Sequence, residues 1–340
     1  MAGTARARAR RTIGGVGALV LALGAAACSG GTGDAAGQEG DAAPAVAPEP
    51  SPTWPYTGLP ADPSDTTGPA FVVKIDNTAA SAPQRGLGSA DLVVEELVEG
   101  GTTRLAAFFH TELPDEVGPV RSMRASDIGI VPADDTTVVT SGAAQRTITR
   151  LRDAGVSFVE EEGTPAGFSR SDARRIPYNL FADLTEVEGA PSDGERPDDY
   201  LEWGDGAVWA AGAPATEVNV RFSPSHTTSW ELDGDGYAVV DGNAGEGDGF
   251  RADTVVALEV EVVDAGYLDP AGNPVPETVL AGTGTATLFH GGRAVEATWS
   301  KDTEASGLRL LTMDGAALAV PAGHTWIELV PAETGSITYD

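Results

Sequence analysis

The arginines between residues 104 and 124 are the side chains best suited to chemistry. Arg121 and Arg124 stand three apart in Gly118-Pro119-Val120-Arg121-Ser122-Met123-Arg124, and Arg104 precedes the apolar run 105–109. Pro119 behind Gly118 reads as the first residue of a helix, which places both arginines on one helical face. A helix beginning there adds its free N–H groups and positive dipole end to the guanidinium groups. That combination suits a phosphate or a carboxylate, which arginine's planar fork can grip at two points. Arg104, Arg121, Ser122 and Arg124, with Lys74, Asp76 and Glu99, form the candidate ligand-binding set. The same arginines could instead pair with Glu95, Glu96 and Glu99 and only hold a hairpin to a helix. Residue types alone support both readings.

Other chemistries find less footing. Asp76, Asp91, Glu95, Glu99 and Asp127 could supply a general base or a hard-cation site, but their spacing matches no metal loop, so no metal is assigned. His110, His226, His290 and His324 lack ligand-type spacing, and Ser122 and Ser126 lack a nucleophile elbow. Phosphate-loop and dinucleotide fingerprints are missing, and no cofactor is expected.

These residues need elements to position them. Residues 71–77 read as a buried strand entering an Asp/Asn turn, and 92–98 and 103–110 as strands joined across Gly100-Gly101. A strand at 136–140, an amphipathic helix at 143–153 ending at Gly155, and a strand at 156–160 follow. A helix is expected after Pro177-Tyr178-Asn179. Past a Pro/Gly/acid-rich break, short β-rich runs at 217–222, 237–240, 255–263, 283–290, 295–299, 308–313 and 325–330 alternate with Gly, Asp and Asn turns. The expected class is α+β: a mixed α/β N-terminal domain (56–190), a loose connection (191–214) and a β-rich antiparallel C-terminal domain (215–340).

The chain's start says where the protein goes. Arg6, Arg8, Arg10 and Arg11 precede an apolar run, 13–27, that is too short for a mature transmembrane span and has the order of an export signal. The single cysteine, Cys28, directly follows Ala25-Ala26-Ala27. This looks like a lipobox, whose thiol takes diacylglycerol before palmitate-type acylation completes the anchor. A lone leftover thiol is otherwise an odd choice in an exported chain. Residues 29–55 are Gly, Ala, Pro and acid with little to bury, a disordered tether reaching roughly 30 Å as a flexible coil. The expected location is the extracellular face of the cell membrane, with the membrane itself as partner through Cys28.

Composition narrows the partners further. The 340 residues carry a formal net charge of −30, and loss of the signal's arginines deepens it. Such a surface repels nucleic acid.

Three blocks carry a family resemblance. Lys74-Ile75-Asp76-Asn77 with Pro83-Gln84-Arg85-Gly86-Leu87, Glu99-Gly100-Gly101-Thr102-Thr103-Arg104, and Gly118 to Arg124 resemble signature stretches of the YerB-like lipoproteins. That family carries a domain of unknown function numbered 3048, in N- and C-terminal parts. Gly323, Thr325, Trp326 and Ile327 resemble the closing block of its C-terminal domain, so the likeness spans about residues 55–335. Between Trp230 and Phe250 this chain is Gly/Asp-rich and lacks the aromatic-plus-arginine pattern the family tends to show, so no ligand contact is carried over to that loop. The resemblance implies a two-domain envelope lipoprotein and supplies no activity. The favoured expectation is a binding module with an arginine-lined anion site for an envelope ligand or another envelope protein, rather than an enzyme. Its rivals are a cell-wall phosphoryl or glycan-phosphate transferase, and arginine blocks with a purely structural role.

Overall fold

A computed structural model describes residues 52–133, 136–163, 166–188, 196–205 and 207–340. Cys28, the signal and residues 29–51 of the tether lie outside the described residues. The first strand, β1 (Ala70–Asp76), is buried along its whole length. Its nearly continuous apolar run fits a strand covered on both faces. It pairs antiparallel with β3 (Thr103–Phe109) and parallel with β4 (Thr136–Thr140). β3 turns back on β2 (Leu92–Leu97) through the Gly100-Gly101 connection, the hairpin its sequence foretold. β5 (Ser157–Glu160) lies parallel outside β4.

The sheet does not stop at β2. The C-terminal strand Thr325–Pro331 pairs parallel with β2 on one side and with Thr254–Leu268 on the other. Antiparallel strands Gly282–His290, Arg293–Lys301 and Arg309–Thr312 then extend the sheet. The result is a 12-stranded mixed sheet built from both halves of the chain. A second sheet of five antiparallel strands, including Glu217–Ser223 and His226–Asp233, packs over one face. Val218, Val220, Phe222 and Trp230 of that sheet share a core with Val93, Leu105 and Trp326 of the large one. The opposite face is covered by Tyr56, Met123, Leu151, Leu201 and Leu318.

The expected α+β class is therefore corrected: among the described residues there are two α-helices, Asp127–Ile130 and Gln145–Asp153, against nineteen strands. The second of these, α2 (Gln145–Asp153), is the helix expected before Gly155. The helix expected from Pro119 does not form, because neighbouring strands claim its backbone. Val120 N donates to Leu180 O at 2.7 Å, Arg121 N to Lys74 O at 2.8 Å, and Asp76 N to Pro119 O at 3.0 Å. Residues 117–123 run extended across the sheet end, and only after the arginines does the four-residue α1 (Asp127–Ile130) begin. The helix expected after Asn179 is likewise a strand, Leu180–Ala182, paired with Phe168–Arg170. Nor is the C-terminal half purely antiparallel, since Thr325–Pro331 lies parallel to both neighbours.

Candidate functional site

β2 carries Glu95 and Glu96 side by side, and strand alternation sends them to opposite faces of the sheet. Each is fully buried. A buried carboxyl needs partners, and the two faces supply different ones.

On the Glu96 face, Lys74 Nζ stands 2.9 Å from Glu96 and 2.6 Å from Asp127, with all three side chains sealed from solvent. Burial acts against the Lys74 charge, yet Asp127 and Glu96 more than offset it and raise its pKa. Burial pushes the Glu96 carboxyl up, and the Lys74 charge pulls it only part of the way back. Asp127 also accepts Arg124 N at 2.7 Å, so one carboxylate anchors both the lysine and the arginine turn. The Arg124 guanidinium grips Glu99 with two nitrogens, Nε at 3.0 Å from Oε2 and Nη2 on Oε1. Arg104 Nη1 donates to Ser122 O at 2.9 Å, and its Nη2 lies 3.9 Å from Glu99. Burial and the neighbouring Arg124 charge bring the Arg104 pKa down to about 10. Burial works to raise Glu99, but Arg124 and Arg104 prevail and hold it below the usual glutamate range.

Arg121 is the least enclosed member. Its Nη1 lies 3.4 Å from Asp76 Oδ2 and makes no hydrogen bond, and its guanidinium sits 5.3 Å from the Tyr178 ring centre. Asp76 spends its other oxygen on Thr78 N at 2.9 Å and the Thr78 hydroxyl at 2.5 Å. The Ser122 hydroxyl faces Ser141 at 3.4 Å, and its carbonyl serves the arginines. All seven expected site residues thus meet at one end of the sheet. Lys74, Arg104, Arg121 and Arg124 are matched there by Glu96, Asp127, Glu99 and Asp76. Asp91 stands apart, capping the turn after β3 through His110 N and Thr111 N at 2.6 and 3.0 Å.

The Glu95 face brings together residues that sequence reasoning did not assemble. Glu95 Oε1 accepts from Thr103 Oγ1 at 2.6 Å, Asn77 Nδ2 at 3.0 Å and Thr228 Oγ1 at 3.1 Å. His226 Nε2 lies 2.8 Å from the same oxygen. Gly101 helps dock that histidine's strand: its carbonyl accepts Ser223 Oγ at 2.6 Å, and its φ of +73° is one that a side chain strains to adopt. Directly across the β2 seam from Glu95 sits Glu328, also fully buried, receiving Trp230 Nε1 at 2.9 Å. Burial, and then the Glu95 charge, pushes the Glu328 carboxyl well above its ordinary range. Burial would raise Glu95 too, but hydrogen bonding and charge from His226, then hydrogen bonds from Glu328 and Thr103, hold it low. Glu95 and Glu328 face each other across neighbouring strands, and burial beside the Glu95 charge favours the protonated form of Glu328.

This pair backs a cleft of about 470 Å³ whose lining includes Asn77, Gln84, His226, Thr228, Phe250 and Trp326. Its outer wall is the 239–251 loop, stitched to the 84–86 strap. Gln84 N donates to Asn243 O at 2.7 Å, Gly245 N to Gln84 O at 2.8 Å, and Arg85 pairs with Asp248 at 3.0 Å. The loop that departs from the expected family pattern is therefore part of the cleft. The available signal for this site was an acid inside each of two apolar runs, Leu92–Leu97 and Thr325–Pro331. Among the described residues no group of three or more His, Cys, Asp or Glu side chains is placed to hold a metal ion.

Comparison with known proteins places the chain. Residues 56–195 match the model for the N-terminal domain of a protein of unknown function (DUF3048), and residues 218–327 match the model for its C-terminal domain. "Putative lipoprotein YerB" of Bacillus subtilis (strain 168) is 25% identical over 298 residues, covering 82% of this chain and 86% of that protein. The crystal structure of the YerB protein from Bacillus subtilis shares the fold with a TM-score of 0.67 at 21% identity, covering 85% of this chain and all of that one.

Proposed function

Because the chain belongs to the DUF3048 family, whose N- and C-terminal models both match it, we propose that it is an exported lipoprotein that binds a small ligand in the Asn77–His226–Trp326 cleft. The anchor is the lipid on Cys28, and the folded part stands on the extracellular side of the membrane. The n-region arginines, the 13–27 apolar run and Cys28 support this placement, as does the name of the Bacillus subtilis relative. A Cys28→Ser chain that still takes up a labelled fatty acid and stays with the membrane fraction would sink the anchor.

The ligand reading rests on one observation. The cleft brings Asn77, Gln84, His226 and Thr228 together beside a buried acid pair whose carboxyls are pushed in opposite directions, the mark of a candidate binding site. Gly249 lines the cleft, and a Cβ there meets nothing within 4 Å, so a side chain can start from this position without a clash at its first carbon. Ligands found by an unbiased thermal-shift screen of the mature chain should lose affinity in Gly249→Phe while its unfolding temperature holds. Hits that bind Gly249→Phe undiminished would locate the site elsewhere.

Arg121 supports a second reading, an anion site. Its side chain keeps 20% of its surface exposed and lies over Tyr178, a ring that Arg175 also approaches at 5.4 Å, which makes it the cluster's guanidinium most accessible to a phosphate or carboxylate. Titration with inorganic phosphate, read at Arg121 and Tyr178 by NMR, tests it. Unmoved resonances at millimolar phosphate would reduce the cluster to a clamp.

A further inference from the structure

Among the described residues four large apolar side chains stand exposed: Ile176, Val263, Leu268 and Met313. Three of them are followed directly by an acid, Asp264, Asp269 and Asp314, which makes their surroundings unfavourable to an anion. Ile176 is the exception. It is 74% exposed, the most of the four, and it follows Arg174 and Arg175. A lone exposed apolar residue is ordinary; its place among guanidinium groups is what sets this one apart.

Those guanidinium groups have different duties. Arg170 is spent on Glu161 and Asn179, at 2.7 and 2.9 Å. Arg174 is an anchor: Nη1 donates to Ser81 O at 2.8 Å, Nη2 donates to Pro83 O, and the group lies 5.0 Å from the Phe181 ring centre. It ties the 170–178 loop to the 81–85 strap and so positions the residue that follows. Arg175 is exposed and makes neither an ion pair nor a side-chain hydrogen bond among the described residues. Its guanidinium rests 5.4 Å from the Tyr178 ring centre, and that of Arg121 lies 5.3 Å from the same centre. Asp76, at 3.4 Å, is the carboxylate that meets Arg121, and Asp172 is the one acid inside the loop. Two like charges gathered on one ring repel, and an anion received by both relieves that repulsion.

We propose that Arg121 and Arg175, at the open rim of the arginine cluster, together receive a phosphate ester that carries a hydrocarbon tail. The two guanidinium groups hold the phosphate beside Tyr178, and the tail lies against the exposed Ile176 and Pro177. Lipid phosphates have this form; free phosphate has only its charged half. The proposal rests on the anion reading of Arg121 and adds a second cation and the ligand's class.

The test titrates the mature chain with hexyl phosphate, inorganic phosphate and hexanol, read at the Tyr178 ring by NMR. Hexyl phosphate should bind at least about fourfold more tightly than inorganic phosphate, the worth of a single buried methylene. Hexanol should leave Tyr178 unmoved. Arg175→Gln, at an exposed position, should weaken both phosphates at least about fivefold. Ile176→Ser should bring hexyl phosphate down to the level of inorganic phosphate and leave the latter unchanged. Equal binding of the two phosphates by the wild type overturns the proposal while the anion reading of Arg121 stands. Undiminished binding to Arg175→Gln overturns the paired site. Silence of Tyr178 to both phosphates overturns the proposal together with that reading.

Discussion

Glu95 and Glu96 are neighbours on one strand, equally buried, and they end in opposite chemistry. Glu96 belongs to a cluster where each cation has an anion: Lys74 sits between Glu96 and Asp127, and Arg124 holds Glu99 with two nitrogens. Glu95 belongs to a cluster with more acids than cations, where burial favours a protonated Glu328 and where His226, which lines the cleft, meets Glu95 at 2.8 Å. Counting charged residues would have ranked the first cluster as the site. Their pairing ranks the second, because a compensated, sealed network has little left to offer a ligand, whereas an uncompensated one beside a cavity does.

The contrast can be broken from its strongest side. Lys74→Met leaves Glu96 and Asp127 buried beside each other without a cation, and should cost about 3–5 kcal/mol in urea unfolding. Adding Glu96→Gln and Asp127→Asn should restore most of that loss; a mild effect of Lys74→Met alone would mean the cluster is not the clamp described. Next in size, Glu99→Ala removes the carboxylate shared by Arg124 and Arg104 and should cost about 2 kcal/mol, read the same way.

The acid pair predicts a smaller effect with a definite pH sign. Glu328 has a raised folded-state pKa, so the folded chain keeps a proton that the unfolded chain gives up near pH 4.5. Its contribution to stability is therefore whole below that pH and is lost as pH climbs toward the raised value. Glu328→Gln, which still accepts from Trp230 and can donate to Glu95, should match the wild type near pH 4 and exceed it by about 1 kcal/mol by pH 6. A variant equally destabilised at every pH would contradict a raised Glu328 pKa. At the small end, Arg251→Ala removes a solvent-exposed pair and should shift stability by no more than about 0.5 kcal/mol.

Local pattern made the first part of the fold legible. The apolar runs at β1, β2, β3 and β4 and the amphipathic α2 stand where alternation and helical spacing put them. The segment from Gly118 to Arg124 misled for a physical reason. Proline suits both a helix start and a sheet-end crossing, and what decided was which groups its neighbours offered, Arg85, Leu180 and Lys74 among them. The single sheet was invisible because its joining pair, Leu92–Leu97 with Thr325–Pro331, is parallel and far apart in sequence, and no turn signal announces such a pairing. The candidate site was half legible. The seven residues around Arg121 do converge, but whether their charges cancel is a matter of distances. Glu95, His226 and Glu328 lie on three separate strands, and only the acids' position inside apolar runs marked them.

The measurement that bears most directly on this account is the titration of the Glu95 and Glu328 side-chain carboxyls by ¹³C NMR, from pH 3 to pH 9. The account predicts two separated steps for the pair, one below the ordinary glutamate range and one well above it, the upper one belonging to Glu328. Two carboxyls that ionise together near pH 4.5 would contradict it. The two acids would then titrate as ordinary carboxyls, and the distinction between the two faces of β2 would be lost.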